Sequence, residues 1–416
     1  MTTETLKPTA APAARPDMAA LRGAVFLALL AWLLVTSAYH GEVLPGGKVS
    51  GIDFGIFYHA AGRLNAGLPL YQPHGELYAY SPLLALLMRP LAHLPLESAL
   101  KVWFAFSAAC LVASVGVFGR ASGLGWRDAG PLGLMLLAGF RFWPTTMNFA
   151  LGQINFLLLL LLCLMFWADH RRRPLLLGVL LGVACLFKIW MLGVLLYPLL
   201  RRQWPAVGAC LGVCAVSFVA LFTAVGWREW SPFLQASLNT GRQVSRISIT
   251  HSLFGFASLH FRANGLVQPV LNSTLIWGLV LLVGTAAIAW GLALVWRRPA
   301  LSPLETRLSL SLVTVSVLLL VPPCQNEYLV LCLPLLWTLL VPADAEAGRL
   351  APWMLAGGAL AYVLFSRGWG PYAPVPDAYQ HGLRSLLVSA PFYAAAVLWA
   401  TGVWALRAMR GPRAAI

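Results

Sequence analysis

The sequence predicts an all-α, polytopic integral membrane protein. Of its 416 residues 59% are hydrophobic and only 10% charged. Apolar stretches long enough to cross a bilayer core as helices recur from Leu21 to Leu406. None of these stretches shows the period-2 alternation of a barrel strand, so helices are the remaining way to satisfy the backbone in lipid.

Basic residues set the topology. Arg171 to Arg173, Arg201 with Arg202, Arg297 with Arg298, and Arg407, Arg410 and Arg413 each flank an apolar run, which predicts cytoplasmic loops. Working outward from them gives spans over 21–38, 98–119, 129–147, 153–168, 174–187, 189–200, 204–225, 270–296, 306–322, 327–341, 350–366 and 384–406, about 11 to 12 transmembrane helices. The pair around Lys188 is short for two full crossings and reads as a helical hairpin reaching partway through the membrane. Because the net charge of +15 sits in short loops between apolar runs, it is a topology signal and predicts no nucleic-acid partner.

Residues 1–19, rich in Ala, Pro and Thr, read as a disordered cytoplasmic tail. Residues 20–416 form a single transmembrane domain of the cell inner (plasma) membrane, with both termini cytoplasmic. The run at 21–38 lacks a small-x-small cleavage site and reads as an uncleaved anchor. Two large loops, 39–97 and 226–269, are extracytoplasmic. The first is too apolar for a flexible connector and predicts amphipathic interfacial helices. Gly67 and Pro69 break the first of these, and Pro82 begins another. The seven cysteines show neither a disulfide framework nor a zinc spacing, so no metal is expected. Neither a Gly-rich nucleotide loop nor an Asp-x-Asp motif is present.

The polar residues other than topology signals gather on the outer face. Of the outward acids, Asp53 stands out at the start of an aromatic helix, Asp53 to Ala61. It reads either as a general base at the membrane surface or as an N-cap. Gln153 and Asn155, in Gly152-Gln153-Ile154-Asn155, read as interhelical hydrogen-bonding residues or as binding groups. Lys188, between Phe187 and Ile189, is expensive to bury and calls for an anionic partner such as a phosphate, unless it snorkels to the interface. The outer stretch with Arg242, Ser245, Arg246, Ser248, Thr250 and His251 can hold phosphate or sugar, or dock on lipid headgroups. The turn Pro322 to Tyr328 places Glu327 at an outer helix junction.

Asp53-Phe54 with Tyr58 and Ala60-Ala61, Gly67 to Tyr71, Tyr80-Ser81-Pro82-Leu83, Leu91 to Pro95, Gly152 to Asn155, Arg173-Pro174 with Gly178 and Gly182, Phe187-Lys188, and Leu200 to Trp204 follow one another in an order and spacing that resembles glycosyltransferase family 87. The resemblance implies a GT-C fold, a polyprenyl-phosphate-sugar donor, and a catalytic Asp after the first transmembrane helix, here Asp53. The chain departs from the family near Pro322-Pro323, where a His is usual before the Tyr-Leu and Glu327 stands instead. Glu327, or a His from another loop such as His251, then takes that position.

The chemistry fits independently. A lipid phosphate is already a good leaving group, so the protein needs one base for the acceptor hydroxyl and cations for the developing phosphate charge. Asp53 is the expected base, with Lys188 and Arg242 or Arg246 on the phosphate. Tyr58, Tyr80, Gln153, Asn155, His251 and Glu327 are the candidates for sugar or acceptor. The expected reaction is inverting transfer to a lipid or glycan acceptor on the extracytoplasmic face; the resemblance implies a hexose, mannose first, while the residues themselves suit mannose, glucose or a pentose and leave a protein acceptor open. An outward site cannot draw on cytoplasmic nucleotide sugars, which favours a membrane-soluble donor. The alternative from another class is a transporter or flippase of an anionic or lipid-linked substrate, with Lys188 as counter-charge.

Overall fold

The computed structural model describes residues 18–42, 51–71, 78–226, 229, 231–233, 235, 249–296, 302–341, 348, 350–366 and 375–409. The described elements are all helical. Six helices are long and apolar enough to cross a membrane, lying within Leu21–Tyr39, Leu96–Ala121, Trp204–Ala224, Thr274–Trp296, Pro303–Leu320 and Gly382–Met409. Shorter apolar helices occupy Ala129–Phe140, Asn155–His170, Pro174–Phe187, Ile189–Leu200, Asn326–Leu340 and Ala351–Phe365. The chain is a helical membrane protein.

Helix α1 (Met18–Glu42) leads to α2 (Ile52–Asn65) and α3 (Pro82–Met88), the two short helices of the first large loop. α2 stops where the chain needs a left-handed residue, supplied by Gly67 at φ 68°. α3 starts on Pro82, whose missing N–H costs nothing in a first turn. α4 (Leu96–Ala121) and α7 (Asn155–His170) then pack side by side. Between them, the run expected as one span over 129–147 is two helices, α5 (Ala129–Phe140) and α6 (Trp143–Leu151). The break falls at Phe142, which is extended, because Pro144 cannot donate into a continuing helix.

α8 (Pro174–Phe187) ends at Lys188, whose backbone is extended at φ −137° and ψ 106°. A 3₁₀ turn over Ile189–Leu195 and a short helix, α9 (Leu196–Leu200), return the chain to α10 (Trp204–Val225). α8 and α10 pack closely, and glycine permits it: a Cβ on Gly178 would lie 2.1 Å from the Ala206 carbonyl oxygen, and one on Gly182 2.8 Å from Val213 Cβ. This is the small-residue seam by which membrane helices gain close contact in lipid.

α11 (Leu253–Phe261) precedes α12 (Thr274–Trp296) and α13 (Pro303–Leu320). α13 is opened by a capping box of Ser302 and Glu305. It is buried over 83% of its apolar window, whereas α1 and α12 are each buried over 17%. α13 is therefore a central helix, and α1 and α12 turn most of their surface outward. Two further helices, α15 (Ala351–Phe365) and α16 (Ala390–Met409), pack against each other at the chain's end, after α14 (Leu333–Leu340).

The α8–α10 seam generates a prediction. Gly178→Ala should cost about 1–3 kcal/mol of stability through overpacking, read as a lower unfolding temperature in detergent. Gly212→Ala on the same helix pair, where a Cβ meets nothing within 4 Å, should leave that temperature unchanged.

Candidate functional site

The start of α2 is anchored from below. The Gly51 amide, at φ 75°, donates to the Ala150 carbonyl at 2.7 Å, and Phe54 packs on Trp103 with ring centroids 5.9 Å apart. Trp103 Nε1 in turn donates to the Gly152 carbonyl at 2.8 Å. Gly152 itself stands at φ 69°, and a Cβ there would lie 2.6 Å from Phe54 Cβ. Only glycine fits this junction, so the α6–α7 connection and the first turn of α2 meet at one point.

That meeting brings Asp53 to Gln153. The α2 cap is Gly51 and carries no side-chain cap bond, so Asp53 is not an N-cap. Its Oδ2 instead accepts from Gln153 Nε2 at 2.6 Å. Gln153 Oε1 accepts from the Tyr80 hydroxyl at 3.0 Å. Lys188 Nζ donates to Tyr80 at 2.8 Å and to the Tyr328 hydroxyl at 3.2 Å. A continuous chain of polar groups thus runs from Asp53 through Gln153 and Tyr80 to Lys188 and Tyr328. Aromatic rings frame it: Phe57 edge-on to Tyr80 at 4.8 Å, and Trp190 stacked on Tyr328 at 5.3 Å.

The electrostatics are unusual for a buried cation. Lys188 is 7% exposed, yet no carboxylate among the described residues lies within ion-pairing distance. Its hydrogen-bond partners are two neutral phenols, while the charges of Glu327 and Asp53 reach it from farther off. Burial raises the Asp53 carboxyl above the usual aspartate range. The Gln153 hydrogen bond and the Lys188 charge act in the opposite direction.

The remaining expected residues divide. Glu327 is 1% exposed, and its Oε2 has no hydrogen-bond partner among the described residues. Its carbonyl accepts from Asn148 Nδ2 at 2.7 Å and from Asn155 Nδ2 at 3.2 Å. Asn155 therefore fastens the turn that carries Glu327 and Tyr328, and does not join the Asp53 chain. The Tyr58 hydroxyl donates to the Leu94 carbonyl at 2.7 Å, tying α2 to the turn before α4. His251 is buried beside the Pro322–Asn326 turn, its amide donating to the Cys324 carbonyl at 2.6 Å. Burial pushes its imidazole down to about 3, so it is neutral at pH 7. Arg242 and Arg246, with Ser245 and Ser248, lie outside the described residues.

Two residues that the sequence reasoning did not single out belong here. Tyr328 supplies the second partner of Lys188, and Asn148 the stronger clamp on the Glu327 carbonyl. Both lie next to segments that drew attention, but the contacts are long-range and leave no local signal. Of the other acids expected on the outer face, Glu229 accepts from the Leu70 and Tyr71 amides at 2.9 and 3.2 Å, and Glu97 pairs with Lys101 on the surface. Among the described residues, Cys185, Cys210 and Cys214 form the one grouping with metal-like proximity, their sulfurs within 4.8 Å of one another. It sits in the α8–α10 seam.

A family model described as glycosyltransferase family 87 matches residues 78–323, well over half the chain. The chain belongs to that family. The match takes in Tyr80, Gln153, Asn155 and Lys188, while Asp53 precedes it and Glu327 and Tyr328 follow it. Among curated relatives, an alpha-(1->3)-arabinofuranosyltransferase of Corynebacterium glutamicum is 29% identical over 207 residues, 48% of this chain and 47% of the relative. A polyprenol-phosphate-mannose-dependent alpha-(1-2)-phosphatidylinositol mannoside mannosyltransferase of Mycobacterium tuberculosis is 29% identical over 268 residues, 55% of this chain and 61% of that protein. The matched region thus spans about half to three fifths of the length of these relatives.

A buried lysine hydrogen-bonded to phenols, with Glu327 and Asp53 acting on it only from beyond ion-pairing distance, contributes little to stability, since its desolvation opposes what those interactions return. Lys188→Met should therefore unfold at the wild-type temperature or above it. A clear loss of thermal stability in that variant would make Lys188 a structural residue.

Proposed function

We propose that this family 87 chain is a glycosyltransferase that moves a hexose, mannose first, from a polyprenyl-phosphate-sugar donor to a lipid or glycan acceptor. The observation that carries the reading is the polar chain from Asp53 through Gln153 and Tyr80 to Lys188, which links a carboxylate to a cation through two neutral side chains. The mycobacterial relative, a polyprenol-phosphate-mannose-dependent mannosyltransferase, supports a polyprenol-phosphate-mannose donor. The arabinofuranosyl relative keeps a pentose as the competing sugar.

In this reading Asp53 takes the proton of the acceptor hydroxyl as its oxygen attacks the anomeric carbon. The bond from that carbon to the phosphate oxygen breaks with inversion, and the electron pair leaves with the lipid phosphate. Lys188 stabilises the charge that develops there, with Arg242 or Arg246 as a second cation. Gln153 fixes the Asp53 carboxylate and, with Tyr80, Glu327 and His251, is available to sugar or acceptor hydroxyls. The inventory supports one base and needs no second carboxylate as acid, because phosphate leaves without protonation.

A plasma-membrane orientation with both termini cytoplasmic and Asp53 extracytoplasmic is part of the proposal. It is supported by Arg171 to Arg173 lying between α7 and α8, at the opposite ends of those helices from Asn155 and Lys188, and by Arg201 with Arg202 following α9. A GT-C arrangement of about 11 to 12 spans belongs to the same reading.

The test is transfer of radiolabelled sugar from a panel of polyprenyl-phosphate sugars to a lipid extract by purified protein. Asp53→Asn should lower transfer by at least about 100-fold, the scale of a lost general base, with normal membrane expression. Labelling indifferent to Asp53 would sink the assignment, and donor binding without transfer would favour a carrier-lipid transporter.

The pH profile gives a second check. A base acts only when ionised, so the rate should fall as pH drops through the Asp53 value, which burial places above that of an ordinary aspartate. Removing the Lys188 charge removes an influence that lowers that value, so the residual activity of Lys188→Met should lose its acid limb at higher pH than wild type. An acid limb that stays in place would contradict the coupling.

A further inference from the structure

At the end of the bundle away from Asp53, α4, α5 and α7 enclose a groove of about 360 Å³, within the usual range of small-ligand pockets. Trp103, which buttresses Asp53, and Arg120, which lines the groove, are both on α4. At 1.5 Å per residue they are about 25 Å apart along the axis, so the groove is separate from the polar chain. Gly116, Leu132 and Leu164 contribute apolar walls, and Arg120, Trp126 and Trp167 also line it.

Three arginines gather at this end, where the nearby carboxylates have other donors: Asp128 accepts from the Gly125 amide at 2.8 Å, and Asp169 from the Tyr197 hydroxyl at 2.6 Å and Gln203 Nε2 at 2.8 Å. Arg120 lies 5.4 Å from the Trp126 ring centroid, and Arg171 and Arg173 each lie 5.8 Å from that of Trp167. Three guanidiniums therefore rest on the two indoles that line the groove. All three arginines are exposed, and none is paired with a carboxylate among the described residues. Trp and Arg together are the side chains that membrane proteins set at the headgroup level, with the hydrocarbon region beginning just beyond. An apolar slot opening from such a rim fits one chemistry: a hydrocarbon chain attached to an anion.

Gly116 marks the slot as space and not as slack packing. A Cβ built there meets nothing within 4 Å, so the absent side chain leaves room on the wall of α4 that neighbouring side chains do not fill.

We propose that this groove binds an anionic glycerophospholipid of the leaflet at the arginine-bearing end, its acyl chain along Gly116 and Leu164 and its phosphate on Arg120. The lipid is not the sugar donor, since the groove lies at the other end of α4 from Asp53.

The test is native mass spectrometry of the purified full chain titrated with phosphatidylglycerol or phosphatidylcholine. Wild type should retain one phosphatidylglycerol with about a tenfold preference, equivalent to about 1.4 kcal/mol. Gly116→Leu, which fills the slot, should lower that retention by about tenfold. Arg120→Gln, an exposed change that keeps the fold even if the glycine variant does not, should erase the preference between the two lipids. Both variants that fold should keep the wild-type dependence of sugar transfer on Asp53. Equal retention of the two lipids by wild type, undiminished retention by folded Gly116→Leu, or a preference unchanged by Arg120→Gln would overturn the proposal, as would displacement of phosphatidylglycerol by stoichiometric polyprenyl phosphate.

Discussion

An ammonium group taken out of water must be solvated by the protein, and in this chain Lys188 imposes that requirement on the end of the bundle that carries Asp53. Two phenols meet it, one from the first large loop and one from the turn after α13. Because both partners are neutral, the positive charge is hydrogen-bonded but not neutralised. Such a group retains its attraction for an incoming anion, which an ammonium already paired to a carboxylate would have lost. The Tyr80 hydroxyl, in accepting from Lys188, is left with its proton to give to Gln153, and Gln153 then presents its amide hydrogens to Asp53. The direction of donation along the chain is thus set at the lysine end.

The backbone supports this with few degrees of freedom. Lys188 lies where α8 ends in an extended residue, and the Gly178 and Gly182 seam fixes α8 against α10. At the other end, Gly152 and Gly51 hold the first turn of α2 on the α6–α7 junction. Asn148 and Asn155 hold the turn that delivers Tyr328. Each polar group of the chain is therefore carried by an element whose own position is tied by hydrogen bonds or by close packing, the condition under which a site can be preorganised.

Much of the fold was legible because its signals are local. Apolar length marked the membrane helices, Pro82 marked the start of α3, and Gly67 the end of α2. A single span over 129–147 runs across the break between α5 and α6, where Arg141 interrupts the apolar run and Pro144 opens the next helix. Of the site, Asp53, Gln153, Tyr80 and Lys188 could be singled out as polar residues in costly places. Their convergence could not, since Asp53 and Gln153 are 100 residues apart and Lys188 and Tyr328 are 140 apart. Gln153 and Asn155 show the limit well. The same amide chemistry two residues apart in sequence serves the Asp53 carboxylate in one case and a main-chain carbonyl in the other. Which face of a junction each amide meets is decided by tertiary packing.

The central claim is that Lys188 and its two phenols form the phosphate end of a site whose base is Asp53. A cryo-electron microscopy structure of the full chain with bound polyprenyl phosphate addresses it most directly. Phosphate density is expected within hydrogen-bonding distance of Lys188 Nζ. Phosphate density elsewhere, with Lys188 still bound to Tyr80 and Tyr328 and nothing else, would contradict it.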